Sequence, residues 1–388
     1  MFSLSKNQGA AGRPQTSVLL TNFVPPYRLP LYKGLSGAFS DFRILLSTEM
    51  EPSRAWPVAW DGLQVTVQRA LTVSRTWKHR LGFSETVYVH VPYDTLHLLR
   101  RHRPDVVISA ELGARTLQAA LYRKLNPATR LIVWACVSEH TEQNRGLLRA
   151  WLRRWLLLQA DAVLVNGQSG ARYIRGFGVP SEKVFFAPYT TDMSPWSAIP
   201  LPREPRIAQR LLFVGRLVAV KGLFPFLLAL ARWSAAHPER NAELWVVGDG
   251  PCRASLQALR LPPNIFVRWL GNTSYQQLPE LYAQAGILAF PTLSDEWGVV
   301  VNEAMAAGLP VLGSVYSQAV EELVVDGATG WTFRPDQPSE LDAALDRALS
   351  TRSDVLQAMR EASRLRVKDL TPDTVRDRIL QAVNYVCR

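Results

Sequence analysis

The chain has 388 residues, 47% hydrophobic and 20% charged, a balance that excludes an intrinsically disordered protein and gives an expectation of about two to three domains. Lys and Arg number 44 against 33 Asp and Glu, for a formal net charge of +11, which points to a polyanionic neighbour: nucleic acid, an anionic membrane surface or phosphate-bearing substrates. The same excess also serves plain solubility. Three scattered cysteines, Cys136, Cys252 and Cys387, form no CxxC pair and no even framework, so neither a metal site nor a disulfide scaffold is expected.

Met1 to Thr16 is polar and carries no apolar signal core. The longest apolar run, Leu223 to Ala231, is interrupted by Pro225 and is about half the length of a membrane span. The expected setting is the cytoplasm, with at most a peripheral seat on the inner face of the membrane.

Ser17 to Asn22 reads as a first buried strand, followed by the turn Pro25-Pro26-Tyr27-Arg28 and a helical stretch from Leu29. Further strands are predicted at Phe42 to Leu46, Asp105 to Ser109, Leu131 to Ala135 and Ala162 to Val165. Helical patterns cover Tyr93 to Arg101, Leu117 to Leu125 and Gly146 to Leu158. Strands alternating with helices imply βαβ units and a mainly parallel sheet. Pro195, Pro200, Pro202 and Pro205, with few apolar neighbours, mark a linker over 194–207. The alternation then restarts with strands at Leu211 to Val214, Glu243 to Val247, Ile265 to Trp269, Ile287 to Phe290 and Pro310 to Leu312. Helices are expected near Phe224 to Ala236, Gln276 to Ala285 and Val300 to Ala307. The division is therefore 1–193, a linker 194–207, 208–370, and a last amphipathic helix in 371–388 that is free to pack back on the first domain.

Three segments of the second half carry chemistry. In Phe290 to Val311 a strand ends in a turn, Gly298 lets the backbone approach a ligand, and a helix begins whose first amides, including that of Val299, suit a phosphate. Asp295 precedes that helix and Glu303 lies a turn inside it, so the two carboxylates are able to straddle one ligand, one at sugar hydroxyls and one at a ribose. The same pattern suits a plain helix start with acidic residues that favour its dipole. In Val214 to Gly222 a strand delivers Gly215 and Arg216, and Lys221 follows; together these cations suit a diphosphate, or else two solvated surface charges. Gly248-Asp249-Gly250-Pro251 is a glycine turn after a strand.

Together these segments resemble the donor half of glycosyltransferase family 4, with its V-G-R-L-x-x-x-K-G, G-x-G-P and E-x-F-G-x-x-x-x-E-A-M-A-x-G-x-P-V motifs in the same order and spacing. The resemblance covers residues 208–345, and in the first half only Asn22 to Leu31 and Gly178-Val179-Pro180. It implies an α/β GT-B fold, two Rossmann-like domains facing across a cleft, and retaining transfer from a nucleotide sugar of UDP or GDP type. The acceptor it implies is a glycan or a lipid-linked acceptor.

By the same resemblance Arg216 and Lys221 hold the donor diphosphate, with Gly215, Gly248, Gly298 and Val299 around it, and Glu303 binds the ribose. Asp295 stands where the family has Glu, and Trp297 where it has Phe. Glu296 is expected to point away from Asp295 if the loop is extended. Asn22 and Arg28 fall on the acceptor side.

No Asp-x-Asp occurs in the chain. Charge on the departing diphosphate is then expected to be met by cations and helix amides, with no metal and no cofactor. Glu139 and His140, after the strand Leu131 to Ala135, are further catalytic candidates, since family members place a His near the sugar at a comparable point; an ordinary surface loop fits them as well. Arg145, Arg149 and Arg153 share one helical stripe beside Trp151 and Trp155, and Lys78, Arg80, Arg100, Arg101 and Arg103 add charge to the same domain. That pattern suits an anionic membrane surface or a core helix with snorkelling arginines. Two rivals remain, a GT-B sugar-nucleotide epimerase and a basic nucleic-acid-binding protein. No recognisable nucleic-acid module is present.

Overall fold

The computed structural model describes residues 16–51, 60, 62–79, 82, 84–143 and 146–388. Its first half is built on strands β1 (Thr16–Thr21), β2 (Asp41–Leu46), β3 (Gln64–Val67), β4 (Ala70–Lys78), β5 (Ser84–Pro92), β6 (Val106–Ala110), β7 (Arg130–Ala135), β8 (Ala162–Val165) and β9 (Val184–Phe186). Seven of these form one parallel sheet in the order β3-β2-β1-β6-β7-β8-β9, while β4 and β5 form a separate antiparallel hairpin. Helices α1 (Leu29–Ser36), α2 (Thr95–His102), α3 (Ala114–Leu125), α4 (Leu147–Gln159) and α5 (Gln168–Arg175) join or flank them. β1, β6, β7 and β8 are buried along almost their whole length, as strands covered by helices on both faces must be.

A short helix, α6 (Ser194–Ser197), leads into the second half. There β10 (Leu211–Val214), β11 (Ala242–Val247), β12 (Ile265–Gly271), β13 (Ile287–Phe290), β14 (Val311–Ser314) and β15 (Gly330–Phe333) form a second parallel sheet, ordered β12-β11-β10-β13-β14-β15. Its helices are α7 (Leu223–Ala236), α8 (Arg253–Gln257), α9 (Leu278–Ala283), α10 (Val299–Ala306), α11 (Gln318–Leu323), α12 (Pro338–Ser350), α13 (Ser353–Val367) and α14 (Pro372–Val386). In both sheets the first strand lies in the middle and the order reverses around it, so loops leaving neighbouring strands in opposite directions open a crevice at the carboxyl edge.

The connecting segment is not the bare linker its prolines imply. Trp196 is fully buried with its ring against Tyr275 and Tyr282, and Arg203 donates to the Ala285 and Ala307 carbonyls at 3.1 and 3.0 Å. One large aromatic and one multivalent donor suffice to fix it on the second sheet's domain. The last helix, α14, returns to the first domain and packs on α1, β8 and β9. Where the chain crosses back, the Thr190 hydroxyl donates to the Leu370 carbonyl at 2.7 Å, tying the two crossings together. The hairpin β4–β5 was not foreseen. Leu71 and Val73 on one strand and Val89 and Val91 on the other stay exposed, so neither strand shows the half-buried alternation that marks a strand in sequence.

Candidate active site

The carboxyl edges of the two sheets meet at a cleft with two adjoining cavities. One, of about 310 Å³, is walled mostly by the second domain, with Pro26, Tyr27 and Tyr189 of the first closing one side. β10 delivers Gly215 and Arg216, and the 3-10 turn Ala219–Lys221 presents Lys221. Gly248 follows the end of β11, and the loop after β13 brings Asp295 and Gly298, followed by Val299 and Glu303 on α10; all of these residues line the cavity.

Two glycines are required by space. Gly248 has φ +125° and a Cβ there would stand 2.0 Å from the Gly215 carbonyl oxygen, so the two loops touch backbone to backbone. Gly298, with φ +100°, starts α10, and a Cβ there would meet the Phe290 ring at 2.7 Å.

Lys221 and Asp295 form a close ion pair. Glu303 is buried and accepts from the Tyr282 hydroxyl at 3.0 Å; burial raises its pKa to about 7, against the lowering effect of the Tyr282 and Tyr275 hydroxyls. The other cavity, of about 340 Å³, shares Arg216, Lys221 and Asp295 and is completed by Asn22, Arg28 and Glu111 from the first domain. Asn22 donates to Glu111 Oε1 at 2.7 Å and accepts from Arg115, whose guanidinium also meets Glu111 Oε2 at 3.0 Å. Glu111 holds φ +70°, a conformation that costs a non-glycine residue about 1–2 kcal/mol and here is braced by that network.

Four expectations are corrected. Trp297 does not face the donor cavity: it is 1% exposed, its indole N–H donates to Asn302 Oδ1 at 3.0 Å, and it borders a groove on the far side of the loop. A large indole gains more from that burial than from an open cleft. Glu296 does not turn away from Asp295. Its carbonyl accepts from Asn166 at 3.3 Å and Gln318 at 2.7 Å, which bends the loop so that both acidic side chains reach the 340 Å³ cavity. The depth of the cleft, then Glu111 and Asp295, raise the Glu296 pKa to about 8, a rise that water on its open side tempers.

Glu139 and His140 lie at the domain interface and not on either cavity wall. Glu139 accepts from Arg172, which also binds Glu321 of α11. His140 stacks on Tyr316 at 4.0 Å, and burial lowers its pKa. The basic stripe on α4 dissolves: Arg153 is buried against Glu142 and Tyr173, and Arg145 lies outside the described residues, as does Arg80. The exposed face of α4 is instead Leu147, Leu148, Arg149, Trp151, Arg154 and Leu158. Among the described residues no group of three or more His, Cys, Asp or Glu side chains is placed to hold a metal ion.

Two Rossmann-like halves meeting at such a cleft define the GT-B fold. Over 95% of this chain the fold matches Anabaena HepE, solved in complex with UDP (TM-score 0.68, 16% identity, 99% of that chain). It also matches the lipopolysaccharide outer core galactosyltransferase WaaB (TM-score 0.69, 14% identity, 95% of this chain and 99% of that one). Residues 203–366 match the family described as glycosyl transferases group 1, and residues 24–190 the glycosyl transferase 4-like domain. The chain belongs to family 4 of the glycosyltransferases.

Among curated relatives, an uncharacterized glycosyltransferase of Methanocaldococcus jannaschii is 32% identical over 142 residues, 36% of this chain and 35% of that one. The alpha-D-kanosaminyltransferase of Streptomyces kanamyceticus is 25% identical over 210 residues, 51% of this chain and 54% of the relative. The chain thus spans between about a third and about half of the length of these relatives.

Glu296, Tyr189 and Glu111 were not among the site residues expected from sequence. Tyr189 and Glu111 sit outside any motif, and the expectation that Glu296 points away holds only for an extended loop, which this one is not.

Proposed function

We propose that the protein transfers a sugar, with retention and without a metal, from a nucleoside-diphosphate sugar to a glycan or lipid-linked acceptor. The observation that carries this reading is the convergence of Arg216, Lys221 and Glu303, from three separate segments, on one cavity of about 310 Å³, within the range of small-ligand sites.

In this reading Arg216 engages the diphosphate as a planar fork and Lys221 as a point charge, and both stabilise the charge that grows on the departing phosphate as the sugar C1–O bond breaks. Glu303, already accepting from one hydroxyl, takes the ribose hydroxyls as hydrogen-bond donors. Asp295 borders both cavities and so stands where donor sugar and acceptor hydroxyl meet. That a structural neighbour, HepE, binds UDP-glucose supports a nucleotide-sugar donor.

The experiment is a screen of UDP- and GDP-sugars in saturating EDTA, with the anomeric configuration of the product read by NMR. Turnover in EDTA with the donor's configuration kept is expected. Loss of turnover restored by Mg²⁺ or Mn²⁺, or an inverted product, overturns the corresponding half of the reading.

We also propose that the first domain lies peripherally on an anionic membrane through α4. No helix of the described residues is long and apolar enough to cross a membrane. Leu147 at 90%, Leu148 at 81% and Trp151 at 65% exposure stand beside exposed Arg149 and Arg154. Apolar anchors flanked by cations match an interface of acyl chains below anionic headgroups.

A further inference from the structure

The 340 Å³ cavity contains a cation, Arg28, that forms no ion pair with a carboxylate among the described residues. Arg28 ends the 3-10 turn Pro26–Arg28, is 6% exposed, and lines this cavity but not the donor one. Its guanidinium carbon lies 3.9 Å from the centroid of the Tyr189 ring and 4.8 Å from that of Trp134. Nη1 donates to the Tyr32 hydroxyl at 3.1 Å and Nη2 to Cys136 Sγ at 3.6 Å. Among the described residues these are its only protein acceptors, which leaves donors of the fork unused.

Burying a cation costs several kcal/mol unless a counter-charge compensates it, and two aromatic faces return only part of that. The acidic neighbours of Arg28 are engaged by other partners. Asp295 is paired with Lys221 and Glu111 with Arg115, while Glu51 also has a partner. Burial pushes the Cys136 thiol up, toward its neutral form. Glu296 accepts from the Tyr189 hydroxyl at 3.4 Å and makes no ion pair with Arg28. With two rings against it, Arg28 offers its N–H edge, the part that engages a carboxylate or phosphate with two parallel hydrogen bonds.

We infer that Arg28 is an anion subsite for the acceptor: the cavity takes a sugar that carries a carboxylate or a phosphate, seated on the Arg28 guanidinium with its hydroxyls toward Asp295 and Glu296. This inference rests on the glycosyl-transfer reading, because it is the adjoining donor cavity that makes this one the acceptor's.

The test is calorimetry on the full chain saturated with UDP or GDP, whichever binds, so that the Arg216–Lys221 clamp is filled. Glucose, glucuronate and glucose 6-phosphate are titrated in turn. At least one anionic sugar is expected to bind about tenfold or more tighter than glucose, the worth of one charge-assisted contact. Glucuronate against glucose 6-phosphate tells a carboxylate acceptor from a phosphorylated one. Arg28→Met is expected to abolish the preference and to leave UDP or GDP affinity as in the parent.

Equal binding of all three sugars, no binding of either anionic sugar at millimolar concentration, or a preference that survives in Arg28→Met overturns the subsite. Should Arg28→Met fail to fold, Arg28→Lys keeps the charge but loses the fork and is expected to weaken the preference; the parent's own sugar series stands without any variant. If neither nucleotide binds, the glycosyl-transfer reading fails, while the same titrations on the nucleotide-free chain still report on Arg28.

Discussion

Lys221 and Asp295 close on each other at the point where the two cavities of the cleft meet, an ammonium from the turn after β10 against a carboxylate from the loop after β13. Each holds the other's charge in the ligand-free cleft. A diphosphate entering beside Arg216 would compete with Asp295 for the ammonium and release the carboxylate toward the sugar. Lys221→Ala is therefore expected to weaken UDP or GDP binding about 10- to 100-fold, the equivalent of roughly 1.5–3 kcal/mol for a charge-assisted contact. Asp295→Asn, which removes the competitor but keeps the cation, is expected to bind the nucleotide at least as tightly as the parent while losing turnover. Calorimetry beside a donor-hydrolysis assay separates the two; nucleotide affinity unchanged in Lys221→Ala would remove the clamp.

Gly248 tests the backbone contact. Gly248→Ala drives a methyl into the Gly215 carbonyl and is expected to cost about 1–3 kcal/mol and to misplace Arg216, so nucleotide binding falls with stability. Gly62 has φ +78° with nothing within 4 Å of a Cβ, so Gly62→Ala meets only backbone strain, about 1 kcal/mol. Thermal melts in the two variants should differ accordingly, and equal losses would contradict the steric account.

Glu303 gives stability a pH dependence of known sign. Its carboxyl ionises near 4.5 in the unfolded chain and near 7 in the folded one, so between those values the folded state keeps a proton the unfolded state has lost. Stability from this group is then full below about 4.5, falls as pH rises through the window, and levels off above about 7, a total on the order of 3 kcal/mol. Glu303→Gln carries no such titration. Its melting temperature is expected to drop less than the parent's between pH 5 and pH 8, and parallel curves would refute the shift.

Membrane attachment predicts a division between residues of one helix. Leu148→Ser with Trp151→Ser is expected to release the protein from anionic vesicles by at least about tenfold, since each anchor is worth roughly 1.5–3 kcal/mol when buried, with UDP or GDP binding retained. Arg153→Glu is expected to act on the fold instead, costing about 3–5 kcal/mol by leaving Glu142 facing a like charge in a buried site. Co-sedimentation of the Ser variant equal to the parent's would exclude α4 as the contact.

The sheet strands were legible in the sequence because buried parallel strands are short apolar runs: Leu211–Val214 and Ile287–Phe290 coincide with the expected segments. The donor wall was legible because its glycines and charges stand in fixed motif spacing, and seven of the eight residues assigned to the donor line one cavity. What stayed hidden depends on partners that only the folded chain brings into contact. Trp297 turns inward because Asn302 offers an acceptor there, and Arg153 because Glu142 waits behind α4. Glu296 faces the cavity because Asn166 and Gln318 grip its carbonyl from two domains. Arg28 sits in a motif-like turn, yet its seat between the Tyr189 and Trp134 rings, with no carboxylate among the described residues paired to it, becomes visible only in the fold.

The hydrogen bond from Thr190 to Leu370 has a mechanical consequence. One body tethered to another by a single strand of chain swivels freely; two tethers fastened side by side leave it a single pivot, like a door on its pins. Thr190 and Leu370 mark the one place where both crossings of the chain are fastened together, so any rotation of one half about that junction would change the distance between Arg28 and Arg216 and with it the mouth of the cleft.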